Sequence, residues 1–144
     1  MKTFFKILAG VLLIINGMGA LYGGLNLIVY PNGNSLQLPL EYLKHSPFNN
    51  YFIQGVILFV MNGLSSLFIC VAILLDSKRY AILILMQGCI LACWIFIQIL
   101  MLQSVNSLHL AVGITALLLM LCGQILLKSI HHKTHEGDNR IKIA

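Results

Sequence analysis

Side chains able to do acid–base, metal or thiol chemistry are sparse in this sequence. Glu41 and His45 lie four residues apart in "EYLKHSPFNNYFIQG", a polar island between apolar runs. With His109, at the head of the last apolar run, they are candidates for proton exchange near neutral pH. Cys70, Cys89, Cys93 and Cys122 all fall inside apolar runs. Cys89 and Cys93 share a helical face, yet the chain has no C-x-x-C and no cysteine in a connector. A thiol relay lacks its parts, and the expectation is four small apolar packing residues. In "HHKTH", His131 and His135 share a helical face. A solvated, mobile tail is preferred there to a metal site, and neither metal nor cofactor is expected.

The elements that must position these groups are apolar. Of 144 residues, 59% are hydrophobic and only 9% charged, far from the quarter charged that is usual for soluble domains. About 20 apolar residues cross the hydrocarbon layer as a helix. Four stretches meet that length, at about 4–30, 46–75, 80–102 and 107–127, and none has an Asp, Glu, Lys or Arg between its interfacial ends, Lys6 lying in the opening turn of the first. The fold class expected is all-α, an integral membrane four-helix bundle. It forms one domain over residues 1–130, followed by a polar tail, 131–144. The first run is apolar to Tyr30, too long for a signal-peptide core, and is expected to stay as an anchor.

Charge orients the bundle. Of nine Lys and Arg residues, eight lie before the first run, between the second and third, or after the fourth. Lys44 alone lies on the other side. This asymmetry places both termini in the cytoplasm, as in a bacterial inner membrane. The net charge of +5 therefore fits anionic lipid head groups. The cations are dispersed without interleaved aromatics, so no nucleic-acid partner is expected.

The connectors have their own chemistry. "YPNGN" is a turn, with Pro31 fixing φ and Gly33 free to go left-handed. Leu36, Leu40 and Leu43 make a one-sided stripe, which predicts a short interfacial helix starting near Pro39. Ser46 and Pro47 read as N-cap and first residue of the second span. Asp76 is a cap candidate in "DSKRY", and Ser107 caps the fourth helix.

Within the spans, Gly19 and Gly23 form a small-xxx-small pair expected to bring backbones together. "INGMGAL" resembles "MNGLSSL", and Asn16 and Asn62 fall near mid-membrane on antiparallel helices. A cross-helix amide bond between them is expected, with Gly113 on a further packing stripe of the fourth span. Asn26, Gln54, Gln98 and His109 fall in the outer third, with Trp94 on the face of Gln98. These make either a hydrogen-bonded girdle or, with Glu41 and His45 as a lid, a ligand pocket.

Several function classes lack parts. A proton-coupled exporter needs a membrane carboxylate, a glutathione-using enzyme needs buried Arg and Glu, and a bis-His haem protein needs facing His pairs. The segment from "NGMGALYGG" through "MNGLSSL" resembles the amino-terminal half of uncharacterised small four-span bacterial membrane proteins. The likeness rests on a P-x-G turn (Pro31, Gly33), an S-P-F…Y element (Ser46–Phe48, Tyr51) and an N-G pair (Asn62–Gly63). "QGCILACWIFIQ" extends it into the other half. Such proteins often carry Pro where this chain has Gln54, and the resemblance implies no activity. Two functions are expected from the residues. The first is a non-enzymatic accessory or interaction protein with a membrane partner or homo-oligomer. The alternative is a binder of a neutral apolar molecule, a lipid or quinone, in the outer pocket.

Overall fold

The computed structural model describes residues 1–44, 47–77, 79–102 and 107–143, with side chains except at Leu102, Leu108 and 131–143. His45, Ser46, Lys78 and the turn 103–106 lie outside this set, as do the side chains of His131 and His135. Four helices dominate: α1 (Lys2–Val29), α2 (Phe52–Leu74), α3 (Tyr80–Leu102) and α4 (Ser107–Ile143). Each is long and apolar enough to cross a membrane. The fold is an all-α bundle, as the apolar runs dictate. A backbone in hydrocarbon must satisfy its own polar groups, and a helix does this within one segment.

Three boundaries differ from expectation. Helix α2 begins at Phe52 rather than at Ser46, because residues 47–51 are bent or irregular rather than helical. The Phe52 N–H instead donates to Asn50 Oδ1 at 3.2 Å. Helix α4 does not end near Leu127 but runs on to Ile143, so the tail is helical rather than loose. Ser107 is its first helical residue rather than its cap. The connector between α1 and α2 contains two short 3₁₀ turns, Asn34–Leu36 and Leu40–Leu43, the second starting after Pro39 as the leucine stripe suggests. Leu43 is buried and Leu36 partly so, while Leu40 is exposed.

Packing follows glycine, on a different face from the one proposed. A Cβ at Gly19 would meet nothing within 4 Å, and one at Gly23 only the Leu58 side chain at 3.5 Å. The close approach runs through Gly17 and Gly24 instead. A Cβ on Gly24 would lie 2.7 Å from the Phe59 nitrogen and 2.9 Å from the Gly55 carbonyl. In return, one on Gly55 would lie 2.8 Å from Leu27 Cβ. Gly17 faces Ser66 Cβ at 3.2 Å, and Gly63 faces Leu21. Helices α3 and α4 meet likewise through Gly88 against Met120 and Gly123 against Leu85. Gly113 has no such neighbour and is not a contact point in the bundle. In lipid, where tails are as apolar as leucine, such contact is a principal source of association. Ala9, Leu13, Ile69, Ile84, Leu91, Leu119 and Leu126 fill the core between the two seams.

The hairpin after α2 is closed tightly. Asp76 adopts φ +49°, its N–H bonding Ile73 O at 3.2 Å while Ser77 N–H bonds Ala72 O at 3.0 Å. This is the Schellman pattern, with Asp where Gly is commonest. Asp76 thus caps the end of α2, and its carboxylate pairs with Lys6 of α1.

Replacing Gly24 with Ala should lower detergent-state stability by about 1–3 kcal/mol, because the methyl group meets backbone that cannot yield. Gly19→Ala should be neutral or stabilising by up to about 1 kcal/mol, the helix-propensity difference. Thermal melting of the two variants side by side checks this, and equal melting would place the seam elsewhere.

Candidate functional site

The most polar place inside the bundle is at the centre of α2. Between two α-helical segments, Leu58–Leu64 winds as a π-helix. Wider winding displaces the usual i→i−4 pairing, and such segments concentrate at functional positions. Asn62 and Gly63 lie in it, and Asn62, Ser66 and Gln87 are all but sealed from the surface.

Gln87 of α3 organises this region. Its Nε2 donates to the Met61 carbonyl at 3.3 Å and to Asn62 Oδ1 at 3.5 Å. Ser65 Oγ is 2.8 Å from Gln87 Oε1 and is also close to the Met61 carbonyl. A hydroxyl has one hydrogen. The consistent assignment gives that hydrogen to Gln87 Oε1 and leaves the Met61 carbonyl to Gln87 Nε2. This fixes the orientation of both amides: turning either one would set donor against donor or acceptor against acceptor. Across the seam, Asn16 Nδ2 donates to Ser66 Oγ at 3.0 Å. The expected Asn16–Asn62 bond is therefore replaced by two others, Asn16 to Ser66 and Asn62 to Gln87. The reason is the antiparallel register set by Gly17 and Gly63, which brings Ser66 rather than Asn62 to α1.

One donor is left over. Asn62 Nδ2 is fully buried with no partner, which costs about 1–3 kcal/mol. The cluster contains amides and hydroxyls only. It can accept and donate neutral hydrogen bonds but cannot carry a proton as a general acid or base.

Among the described residues, those expected in the outer third are not joined by hydrogen bonds into a single polar layer. Asn26 is half-buried, its Nδ2 donating to Tyr22 O at 2.8 Å and its Oδ1 accepting from Ser35 Oγ at 2.5 Å. It anchors the connector rather than facing a pocket. Gln54 is buried, with Nε2 4.0 Å from Met101 Sδ and Oε1 unpartnered. Trp94 and His109 are buried and Gln98 is half-buried. Among the described residues no hydrogen bond joins Asn26, Gln54 and Gln98 to one another. Glu41 is turned to solvent: its side chain is 78% exposed and its carboxylate sits 3.7 Å from Lys44 Nζ, one turn along. His45 lies outside the described residues.

What holds the connector down is Tyr51. Its N–H donates to Pro31 O at 2.8 Å, its hydroxyl donates to Pro39 O at 2.8 Å, and its ring packs with Leu27 and Leu43. A side chain at Gly33, where φ is +76°, would strike that ring at 2.9 Å. Within "EYLKHSPFNNYFIQG", Glu41 is thus an exposed turn residue and Tyr51 the latch.

Sequence reasoning sets Gln87 two turns further in from Gln98 and Trp94 on the third helix but not with Asn62, and it missed Ser65, Ser66 and the glycines Gly17 and Gly24. A usable signal was present: in both "INGMGAL" and "MNGLSSL" it is the Gly following Asn that packs across the seam. No protein-family model matches the chain, and no curated protein or solved structure matches it.

Two outcomes follow. Gln87→Leu should destabilise by about 1–3 kcal/mol by leaving the buried Asn62 Oδ1 without its donor, while the Ser65 hydroxyl turns to the Met61 carbonyl. Combined with Asn62→Leu it should be non-additive by at least about 0.5 kcal/mol; a double-mutant cycle by thermal melting reads this. On the connector, Tyr51→Phe should cost about 1 kcal/mol and Glu41→Gln less than about 0.5 kcal/mol. The reverse ranking would restore Glu41 as the working residue.

Proposed function

We propose that this chain is a non-enzymatic accessory or interaction protein of a bacterial inner membrane, with both ends in the cytoplasm. The observation that carries the reading is the extension of α4. Its apolar stretch ends at Ile130, yet the helix continues to Ile143, about 20 Å further at 1.5 Å per residue. That overhang carries "HHKTHEGDNRIKI", a sequence of mixed charge suited to water and to a protein surface. The bundle beneath it is a stable platform, its buried amides bonded across helices and its outer connector latched by Tyr51. A partner, or a second copy, engaging the overhang fits this division of labour.

The alternative reading, a binder of lipid or quinone near the outer end, has one observation in its favour. Gln54 Oε1 is a buried acceptor without a donor, the kind of group a ligand hydroxyl would satisfy.

Purification of the full chain and of a version ending at Ile130 separates the two. The accessory reading expects a stoichiometric protein or dimer with the full chain and its loss on truncation, with melting temperature unchanged. Retained quinone or neutral lipid in both forms, lost in Gln54→Leu, would favour the alternative. Reporter fusions after Arg79 and Ala144 should read cytoplasmic and one after Lys44 external.

A further inference from the structure

At the opposite end of the bundle from the connector, α1 and the last turns of α2 leave a groove of about 250 Å³. Its walls are almost wholly apolar: Gly10 and Ile14 from α1, and Cys70, Ile73 and Leu74 from α2, with Lys6 at the mouth. Gly10 makes the groove. A Cβ there would meet nothing within 4 Å, and Cys70 Sγ reaches its carbonyl at 3.7 Å. From Lys6 to Ile14 the groove follows α1 for about 12 Å along the helix axis. It is smaller than pockets for drug-sized molecules, which run to about 300–1,000 Å³, and its shape suits a single flexible chain.

Charge at the mouth identifies the head of that chain. Lys6 pairs with Asp76 and sits 4.5 Å over the ring of Tyr80, with about a quarter of its side chain still exposed. An ammonium has three donors, so this arrangement leaves capacity for an anionic oxygen. Lys2, whose Nζ donates to Ser129 O at 2.8 Å, and the exposed Arg79 and Lys128 belong to the same end. Among the side chains described there, four cations face one carboxylate. The depth of the groove in hydrocarbon and the positive mouth agree on one occupant. We propose that this groove is a binding site for an anionic phospholipid, one acyl chain lying over Gly10 and the phosphate resting on Lys6. The site is distinct from the outer end and does not depend on what α4 engages.

The test is lipid retention by native mass spectrometry after equilibration in vesicles of phosphatidylglycerol or phosphatidylcholine. The parent should retain phosphatidylglycerol in preference by about fivefold, the effect of one lysine at an anionic surface. Gly10→Leu, whose Cβ enters open space, puts a side chain into the groove and should cut retention about tenfold, the effect of displacing two methylenes, with melting unchanged. Lys6→Gln should abolish the preference while retaining some of either lipid. Asp76→Asn, which frees Lys6, should strengthen it. Equal retention of the two lipids by the parent, or undiminished retention in Gly10→Leu, would overturn the proposal. So would a dimer whose interface crosslinks through the groove.

Discussion

Contact between the backbones of α1 and α2 is the constraint on which the rest of the molecule depends. In lipid, burying leucine against leucine gains little over leucine against acyl chain, so helices associate through close fit and through polar groups with nowhere else to go. Gly24 opposite Gly55 and Phe59, and Gly17 opposite Gly63 and Ser66, permit that fit. Once the two axes are this close, their register is set, and so is the identity of each polar neighbour. Asn16 finds Ser66 because of it, and Asn62 is turned towards α3. The π-helix belongs to the same solution. Its irregular winding occupies the stretch that must present small residues to α1 and amides to α3, and Gln87 supplies the Met61 carbonyl with a hydrogen-bond donor.

Much of this architecture was legible beforehand, and the parts that were not share a physical cause. Length and hydropathy define four spans, since a charge-free apolar run of that size has few alternatives in water. The connector's turn at Gly33 and the 3₁₀ segment after Pro39 follow from local chemistry. Helix rotation does not, because in a span that is apolar all round the hydrophobic pattern gives no inner face. Gly19 and Gly17 look alike by sequence, and only the partner helix separates them. The opening of α2 was misplaced for another reason: Ser46–Pro47 is a sound local start signal, yet Tyr51 is tied to Pro31 and Pro39, and that tertiary tie sets where the helix begins.

The candidate site shows the same division. Glu41 drew attention as a titratable group in a polar island, but the loop it occupies turns it to solvent beside Lys44. The polar work is done by residues with unremarkable side chains, Ser65, Ser66 and Gln87, whose importance comes from depth rather than type. A serine in a span is inconspicuous by itself. Paired across a glycine seam with an amide, it becomes part of the bundle's specificity. The polar residues at the connector end serve the connector in part, as Asn26 does for Ser35, which is why they do not converge.

The lock at the centre of the bundle is built from dipoles alone. A membrane potential does work of about 2.3 kcal/mol per elementary charge per 100 mV. Between Lys6 and the connector α1 contains no Asp, Glu, Lys or Arg, and the apolar lengths of α2, α3 and α4 contain none either. The Lys6–Asp76 pair has both members at one end, with little of the field between them. The central cluster is therefore electrically silent. Its amide and hydroxyl bonds involve no formal charge, so they keep their strength whether the membrane is energised or collapsed.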